Sequence, residues 1–136
     1  MPTPTEITNT MMTNDSFSQW LGISIIEIKS GYAKLQMTIR SNMLNGHGTA
    51  HGGISYSFAD SALAFASNSH GKKAVSIETS ISHTLPIIEH DTILAIAKEE
   101  SCSHKIAVYT INVYRASDNK TVALFKGTVY RTSKDW

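Results

Sequence analysis

The stretch GGISYSFADSALAFASN, residues 52–68, decides how this chain folds. At helical spacing, one of its faces carries Ile54, Phe58, Ser61 and Phe65, and the other faces carry mostly alanine and serine. A surface helix would show a charged outer stripe, whereas this stretch contains a single charged residue. The pattern therefore predicts a helix that is packed on several sides.

Strand patterns flank this helix on both sides. Before it, residues 23–28 are rich in β-branched side chains and residues 32–40 alternate apolar with polar positions, with Ser30-Gly31 as a hairpin link. After it, four segments are typical of strands: residues 75–82, 92–98, 106–115 and 121–131. No strand–helix–strand alternation recurs, which disfavours a doubly wound parallel sheet. The sequence predicts an α+β fold, an antiparallel sheet of five to six strands wrapped around one central helix.

Two of these strands have side-chain patterns that predict which faces are buried. In residues 75–82, every second position is occupied by one of a set that is expected to share one face of the strand: Val75, Ile77, Thr79 and Ile81. Residues 92–98 are almost continuously apolar, as expected for a strand covered on both faces.

The length of 136 residues supports one domain. Residues 1–13 are expected to form a flexible N-terminal arm, and residues 14–136 the single domain. Asn14, Asp15 or Ser16 is expected to cap a short helix that carries Phe17 and Trp20 toward the core.

Composition excludes several classes of protein. The 12 basic and 11 acidic side chains give a formal charge of +1, which disfavours nucleic-acid binding. The only cysteine, Cys102, permits no internal disulfide and no cysteine-based metal cage. No apolar run approaches the roughly 20 residues that a membrane span needs, and residues 1–19 lack a secretory pattern. A soluble, cytoplasmic protein is expected, and the charged fraction of 17% suits a large core or an oligomer.

Asp60 is the only formally charged side chain between Arg40 and Lys72, and it lies in the middle of the apolar helix. Burying an unpaired carboxylate costs several kcal/mol, so the pKa of such a group rises instead. Asp60 is therefore either a structural residue held by hydrogen bonds or a catalytic base. From the residue alone, the two interpretations stand at even odds.

The Gly52-Gly53 pair marks the start of the same helix, where the first amides have no partner within the helix. Such an amide can form half of an oxyanion hole, although a tight turn is the commoner role of a glycine pair. Gly53 and Asp60 are seven residues apart, about 10 Å along a helix axis. Two antiparallel helices related by a twofold axis would bring each helix start beside the partner's carboxylate, which favours a dimer.

Other motifs are weaker. Gly46-His47-Gly48 lacks the third glycine and the strand–helix–strand context of a dinucleotide loop. His47 and His51 have the spacing of a helical zinc pair, but the glycines around them disfavour a helix and no third ligand is near. Cys102 near His104 is interpreted as a plain packed thiol. The remaining histidines are interpreted as surface or loop residues: His70, His83 and His90.

The motif NGHGTAHGG at residues 45–53, with Asp60 nine residues after His51, resembles the hotdog-fold acyl-CoA thioesterases. The most similar group is the PaaI-type subfamily of phenylacetic acid degradation. The resemblance extends from about Phe17 to Arg131 and includes the tail TVALFKG at residues 121–127.

The resemblance implies a thioester hydrolase that needs no metal and no cofactor. In that family a helix carboxylate from one subunit, here Asp60, acts as general base or as nucleophile. The backbone N–H that matches Gly53 polarises the thioester carbonyl, and Asn45 assists at the carbonyl or at the attacking water. His51 matches a histidine that shapes the site, and Ser76 matches a hydroxyl that holds the water.

The resemblance also implies partners and a substrate class. An acyl-CoA is the expected substrate, either an aryl-acetyl one such as phenylacetyl-CoA or one with a short or medium chain. Lys105 and Arg131 are expected to contact the CoA phosphates. The family forms homodimers that are usually paired into homotetramers. The alternatives are a hydratase, which needs a histidine–acid pair not found here, and a non-catalytic protein that binds acyl-CoA.

Overall fold

The computed structural model covers residues 1–136 and consists of three α-helices, a short 3-10 turn at Ser41–Met43 and six strands. In chain order the elements are α1 Pro4–Asn14, α2 Ser16–Leu21, β1 Ser24–Lys29, β2 Tyr32–Thr38, α3 Gly52–Asn68, β3 Lys72–His83, β4 Thr92–Cys102, β5 Ile106–Arg115 and β6 Thr121–Asp135. None of the helices has the length and apolar character needed to cross a bilayer.

The six strands form one antiparallel sheet in the order β1-β2-β4-β5-β6-β3, so that β1 and β3 are its edges. Helix α3 packs against β2, β3, β4, β5 and β6. The predicted α+β architecture, a sheet of six strands around one central helix, is confirmed. The hairpin β1–β2 also lies where the sequence predicts it.

The core lies between α3 and the inner face of the sheet. Eleven of the 17 residues of α3 are buried, among them Phe58 and Phe65, as the all-round apolar pattern predicts. On β4, Ile93, Ala95 and Ala97 are fully buried, but the residues between them are only partly covered. The expectation that this strand is covered on both faces is therefore wrong, because a single helix layer covers only the inner face.

The structure differs from the sequence expectation at residues 1–13, which form most of helix α1 rather than a flexible arm. Thr3 caps the helix, because its hydroxyl accepts the amide proton of Glu6 while the Glu6 carboxylate accepts that of Thr3, both at 3.1 Å. Ile7 is 1% exposed and anchors the helix on the core. The Thr3–Glu6 spacing is that of a capping box, a signal visible in the sequence.

Asp15 is the N-cap of helix α2, and its carboxylate accepts the amide proton of Ser18 at 2.9 Å. The expectation that Phe17 and Trp20 face the core is wrong, since they are 52% and 45% exposed. Their rings stack on each other with centroids 6.0 Å apart. Leu21, which is fully buried, joins the core in their place.

A β-bulge shifts the phase of β3. The pairing with β6 is interrupted between Ser76 and Glu78, which leaves one extra residue on β3. Before the bulge, Ser76 faces α3, while Val75 and Ile77 are 55% and 58% exposed. After it, Thr79 faces α3 and its hydroxyl contacts the hydroxyl of Tyr56. The prediction that Val75 and Ile77 share one face with Thr79 and Ile81 is therefore wrong.

Candidate active site

Asp60 projects from the middle of α3 and is half-buried. Neither a hydrogen-bond donor nor a cation of this chain holds its carboxylate, and burial together with the negative charge of Asp15 raises the pKa of Asp60. A structural carboxylate would be hydrogen-bonded, because an unpartnered buried acceptor is unfavourable. Within this chain, the carboxylate of Asp60 therefore lacks the partners that a structural carboxylate would have.

Ser76 and Asp60 line the same small cavity, of about 60 Å³, which has apolar walls that include Leu63 and Val129. The bulge in β3 is what turns Ser76 toward α3. A water molecule fits in such a space when polar groups are there to hold it. The structure thus brings together two of the residues that the sequence singles out.

The start of α3 differs in one respect from the sequence prediction. His51 is the N-cap, and its Nδ1 accepts the amide proton of Gly53 at 2.8 Å. The Gly53 amide is therefore already engaged, whereas the amide of Gly52 donates no hydrogen bond within the chain. The free donor at this helix start is one residue earlier than the sequence suggests, because an N-cap side chain takes the amide of the second helical residue.

Asn45 organises the loop that leads to the helix. Its side-chain oxygen accepts amide protons from His47 at 2.9 Å and from Thr49 at 3.2 Å, and its Nδ2 donates to the hydroxyl of Thr49 at 3.1 Å. One N–H of the Asn45 amide remains available, since the group carries two. Asn45 and Gly52 line a common cavity of about 310 Å³.

Sequence reasoning missed two residues in this cavity, Ser55 and His83. The hydroxyl of Ser55 lies 3.2 Å from Nδ1 of His83. No spacing signal could have revealed the pair, because the two residues are 28 positions apart and meet only when the end of β3 folds back over the start of α3.

His51 and Gly53 border a separate cavity of about 410 Å³ on the other side of the helix start. Its wall includes the exposed rings of Phe17 and Trp20. The guanidinium of Arg40 lies 5.1 Å from the Trp20 ring. The apolar rings and the first residues of α3 therefore line the same cavity.

Lys105 and Arg131 are brought together, as the sequence predicts for two phosphate-binding residues, in a cavity of about 320 Å³ that also contains His104 and Lys72. Arg131 has a structural contact as well, since its Nη1 donates to the carbonyl of Ser103 at 2.7 Å and so holds the β4–β5 turn. The cavity is lined by three basic side chains and a histidine, which suits an anionic group.

One group of side chains has the chemistry of metal ligands. The ligand atoms of His70, Glu99 and Cys102 lie within 4.8 Å of one another. Oε1 of Glu99 is shared by Nε2 of His70 at 2.7 Å and by the hydroxyl of Tyr109 at 3.0 Å. Burial of Glu99 works against these hydrogen bonds, which nevertheless lower the pKa of Glu99 below its usual value. The group is a hydrogen-bonded network that ties the end of α3 to β4 and β5.

A single chain does not bring all the predicted residues to one place. Asp60 and Ser76 line one cavity, Asn45 and Gly52 a second, and His51 with Gly53 a third. The carboxylate and the free amide are eight residues apart on one helix, about 12 Å along its axis.

Comparisons with known proteins identify the family of this chain. The sequence model of the thioesterase superfamily matches residues 47–122. A relative from Archaeoglobus fulgidus is 44% identical over 126 residues, which cover 93% of this chain and 81% of the relative. The acyl-coenzyme A thioesterase PaaI of Escherichia coli is 40% identical over 121 residues, covering 89% of this chain and 86% of that protein.

Solved structures show the same fold. The structure of the E. coli PaaI protein, from the phenylacetic acid degradation operon, superposes with a TM-score of 0.91 at 38% identity, covering 93% of this chain and 91% of that one. The TT0310 protein of Thermus thermophilus gives a TM-score of 0.83 at 38% identity, over 87% and 98% of the two chains. The chain therefore belongs to the thioesterase superfamily, as a thioester hydrolase of the hotdog-fold, PaaI-type acyl-CoA thioesterases.

Proposed function

We propose that this protein hydrolyses an aryl-acetyl-CoA, such as phenylacetyl-CoA, or a short or medium acyl-CoA to CoA and the free acid, with Asp60 as general base. One observation carries the proposal: Asp60 is a half-buried carboxylate without a hydrogen-bond donor or a cation, in a helix that is otherwise uncharged. A base with a raised pKa takes up a proton more readily, which suits the activation of water.

The proposed reaction uses the other site residues in defined roles. A water held between Asp60 and Ser76 gives its proton to Asp60 while its oxygen attacks the thioester carbonyl carbon. The carbonyl oxygen gains negative charge and is stabilised by the free amide of Gly52 and by the available N–H of Asn45. The C–S bond then breaks, and the CoA thiolate leaves with the proton that Asp60 accepted, which restores the Asp60 carboxylate.

The roles of His51 and Gly53 follow from their mutual hydrogen bond. Because Nδ1 of His51 holds the Gly53 amide, we propose that this pair fixes the helix start and so positions the Gly52 amide. In this proposal His51 shapes the site, and Gly52 rather than Gly53 supplies the donor to the carbonyl oxygen.

We further propose that the site is completed in a homodimer, with Asp60 and Ser76 of one subunit facing Gly52 and Asn45 of the other. The separation of about 12 Å along α3 supports this, since one helix cannot place both groups on one thioester. The edge strand β3 supports it as well, because its outer backbone edge has no partner within the chain. Pairing of such dimers into tetramers is part of the proposal.

The substrate class rests on two features. The E. coli relative is named for acyl-coenzyme A and its structure for phenylacetic acid degradation. The cavity at Phe17 and Trp20 offers flat apolar surfaces beside the helix start, which suits an aromatic acyl group. We assign the CoA phosphates to Lys105 and Arg131. A cytoplasmic location fits the exposed, unpaired Cys102, which suits a reducing compartment.

The test is release of free thiol from a panel of CoA thioesters by the wild-type protein and by Asp60→Asn. The panel contains phenylacetyl, hydroxyphenylacetyl, benzoyl, and short and medium straight-chain esters. We expect kcat of Asp60→Asn to fall by about 10²–10⁴-fold, the usual contribution of a general base. Unchanged turnover in the variant would refute the role of Asp60, and a preference for straight chains would refute the aryl assignment.

A further inference from the structure

The cavity that contains the free amide of Gly52 also contains a polar pair outside the motif that identifies the family. His83 lies at the end of β3 and its ring is exposed to the cavity, whereas Ser55 is only 2% exposed. The Ser55 hydroxyl lies 3.2 Å from Nδ1 of His83. A buried hydroxyl thus holds one side of the ring and leaves Nε2 free.

The free nitrogen of His83 is directed at the helix start. A Cβ atom built on Gly52 would lie 3.2 Å from Nε2 of His83, closer than from any other atom of the ring. A glycine at this position therefore lets the imidazole approach the backbone that carries the free amide. His83 and Gly52 line the same space of about 310 Å³.

The hydroxyl of Ser55 can set the protonation of the ring. Ser55 Oγ lies 3.2 Å from the carbonyl of Gly52 and 3.2 Å from Nδ1 of His83, and it has one proton to donate. A donor at Nε2 requires that Ser55 donates this proton to Nδ1 rather than to the Gly52 carbonyl, because only then does the neutral imidazole carry its proton on Nε2. His83 then presents an N–H to the cavity beside that of Gly52.

We propose that His83 is a catalytic residue that donates its Nε2 proton as a hydrogen bond to the thioester carbonyl oxygen, together with the Gly52 amide, and that Ser55 holds its ring in the required orientation. The inference rests on the proposed function, which it deepens by a residue of the oxyanion hole. No proton is transferred from His83: the bond strengthens as the carbonyl oxygen becomes negative and weakens when the C–S bond breaks.

Nothing else that lines the cavity can take this role as well. His83 is the only ionisable side chain among the ten lining residues, so its N–H is the strongest side-chain donor there apart from the Asn45 amide. The Asn45 amide is mostly engaged within its own loop. A further donor at the carbonyl, beside the Gly52 amide and the one free N–H of Asn45, would therefore come from His83.

The experiment compares His83→Phe, which keeps a flat ring without a donor, with His83→Gln, which restores an N–H. In His83→Phe we expect kcat for phenylacetyl-CoA to fall by about 100-fold and KM to change little, as for the loss of one oxyanion-hole donor. His83→Gln should recover about a tenth of wild-type kcat. His90→Gln, in an exposed loop, is the matched control and should keep wild-type kcat. Equal kcat in wild type and His83→Phe would overturn the proposal, as would equal losses in the Phe and Gln variants.

Binding of two inert analogues separates this inference from the proposed function. A CoA trifluoromethyl ketone, whose hydrate carries an oxygen in place of the oxyanion, should bind His83→Phe about 100-fold more weakly than it binds the wild type. A CoA thioether, which has no carbonyl, should bind both equally. Parallel losses for the two analogues, or no loss for the ketone, would overturn the role of His83 even if the wild type proved inactive on every thioester.

Discussion

At the scale of single residues, the ionised carboxylate of Asp60 lowers the stability of the folded protein while it serves the proposed chemistry. Burial raises the pKa of Asp60, so the folded state holds this proton more tightly than the unfolded state. The protonated form of Asp60 therefore favours the folded state. This contribution to the free energy of unfolding is complete below the ordinary aspartate pKa and is lost as pH rises through the raised value.

We accordingly expect Asp60→Asn to unfold at a higher temperature than the wild type at pH 7, because the amide is uncharged. The difference should shrink as pH falls and vanish toward about pH 3, below the ordinary aspartate pKa, where Asp60 of the wild type is itself protonated in both states. Thermal denaturation of both proteins at the two pH values checks this. Identical melting temperatures at pH 7 would show that the carboxylate is stabilised in a way that its surroundings do not indicate.

Asp15 provides a second residue-scale prediction, since its charge contributes to the raised pKa of Asp60. Asp60 must be ionised to act as a base, so kcat should fall as pH drops through the pKa of this group. In Asp15→Asn that fall should occur at lower pH, because a like charge has been removed. Asparagine caps helices as well as aspartate does, so α2 should persist. The pH dependence of kcat in both proteins is the measurement, and a shift to higher pH would contradict the assignment.

At the scale of elements, the contact between α3 and β6 depends on Gly127. A Cβ at this position would lie 2.5 Å from Cδ2 of Leu63, so alanine would push the helix and the strand apart. Gly127→Ala should lower the free energy of unfolding by about 1–3 kcal/mol, the usual effect of overpacking.

Urea denaturation provides the measurement for Gly127→Ala. Gly46→Ala is the matched control, because no atom lies within 4 Å of its added Cβ, and it should change stability by no more than about 0.5 kcal/mol. Equal stabilities of the two variants would mean that Leu63 yields without cost.

The elements also show what the sequence can predict. Helix α3 was predictable because its apolar residues surround it, and the strands because their residues alternate, are β-branched or form short apolar runs. Which side chains of β3 face the helix was not predictable, because no glycine or other sequence marker announces the bulge between Ser76 and Glu78. Helix α1 was predictable from the spacing of Thr3 and Glu6, but its polar composition suggested a loose arm.

The candidate site was predictable only in part, because some of its contacts depend on the three-dimensional fold and not on a local sequence pattern. Asp60 stands out because a lone charge in an apolar helix is conspicuous in any sequence. Which glycine amide is free depends on whether the His51 ring turns back to cap the helix, and that is a matter of three-dimensional geometry. His83 reaches the site through the end of a strand, a contact that no local pattern encodes.

At the scale of the whole molecule, the proposed sharing of each site between two subunits predicts that two variants with impaired sites complement each other. Asp60→Asn and Asn45→Ala, mixed in equal amounts after dissociation and reassociation, should form mixed dimers in about half of the cases. Each mixed dimer would contain one site with both Asp60 and Asn45 intact, so about a quarter of wild-type activity should return. Thiol release before and after reassociation measures this, and a mixture that stays inactive would place each site within one chain.

The free edge of β3 has a further consequence for the monomer, before the proposed dimer forms. A twelve-residue edge strand with exposed Val75 and Ile77 is a template onto which any extended segment can add. If the proposed dimer forms at this edge, correct pairing of newly made chains competes there with aggregation, and both processes speed up with the concentration of the chain. The same strand thus carries both Ser76 of the candidate site and the exposed apolar residues Val75 and Ile77, so a substitution in β3 made to reduce aggregation would also alter the strand that holds Ser76.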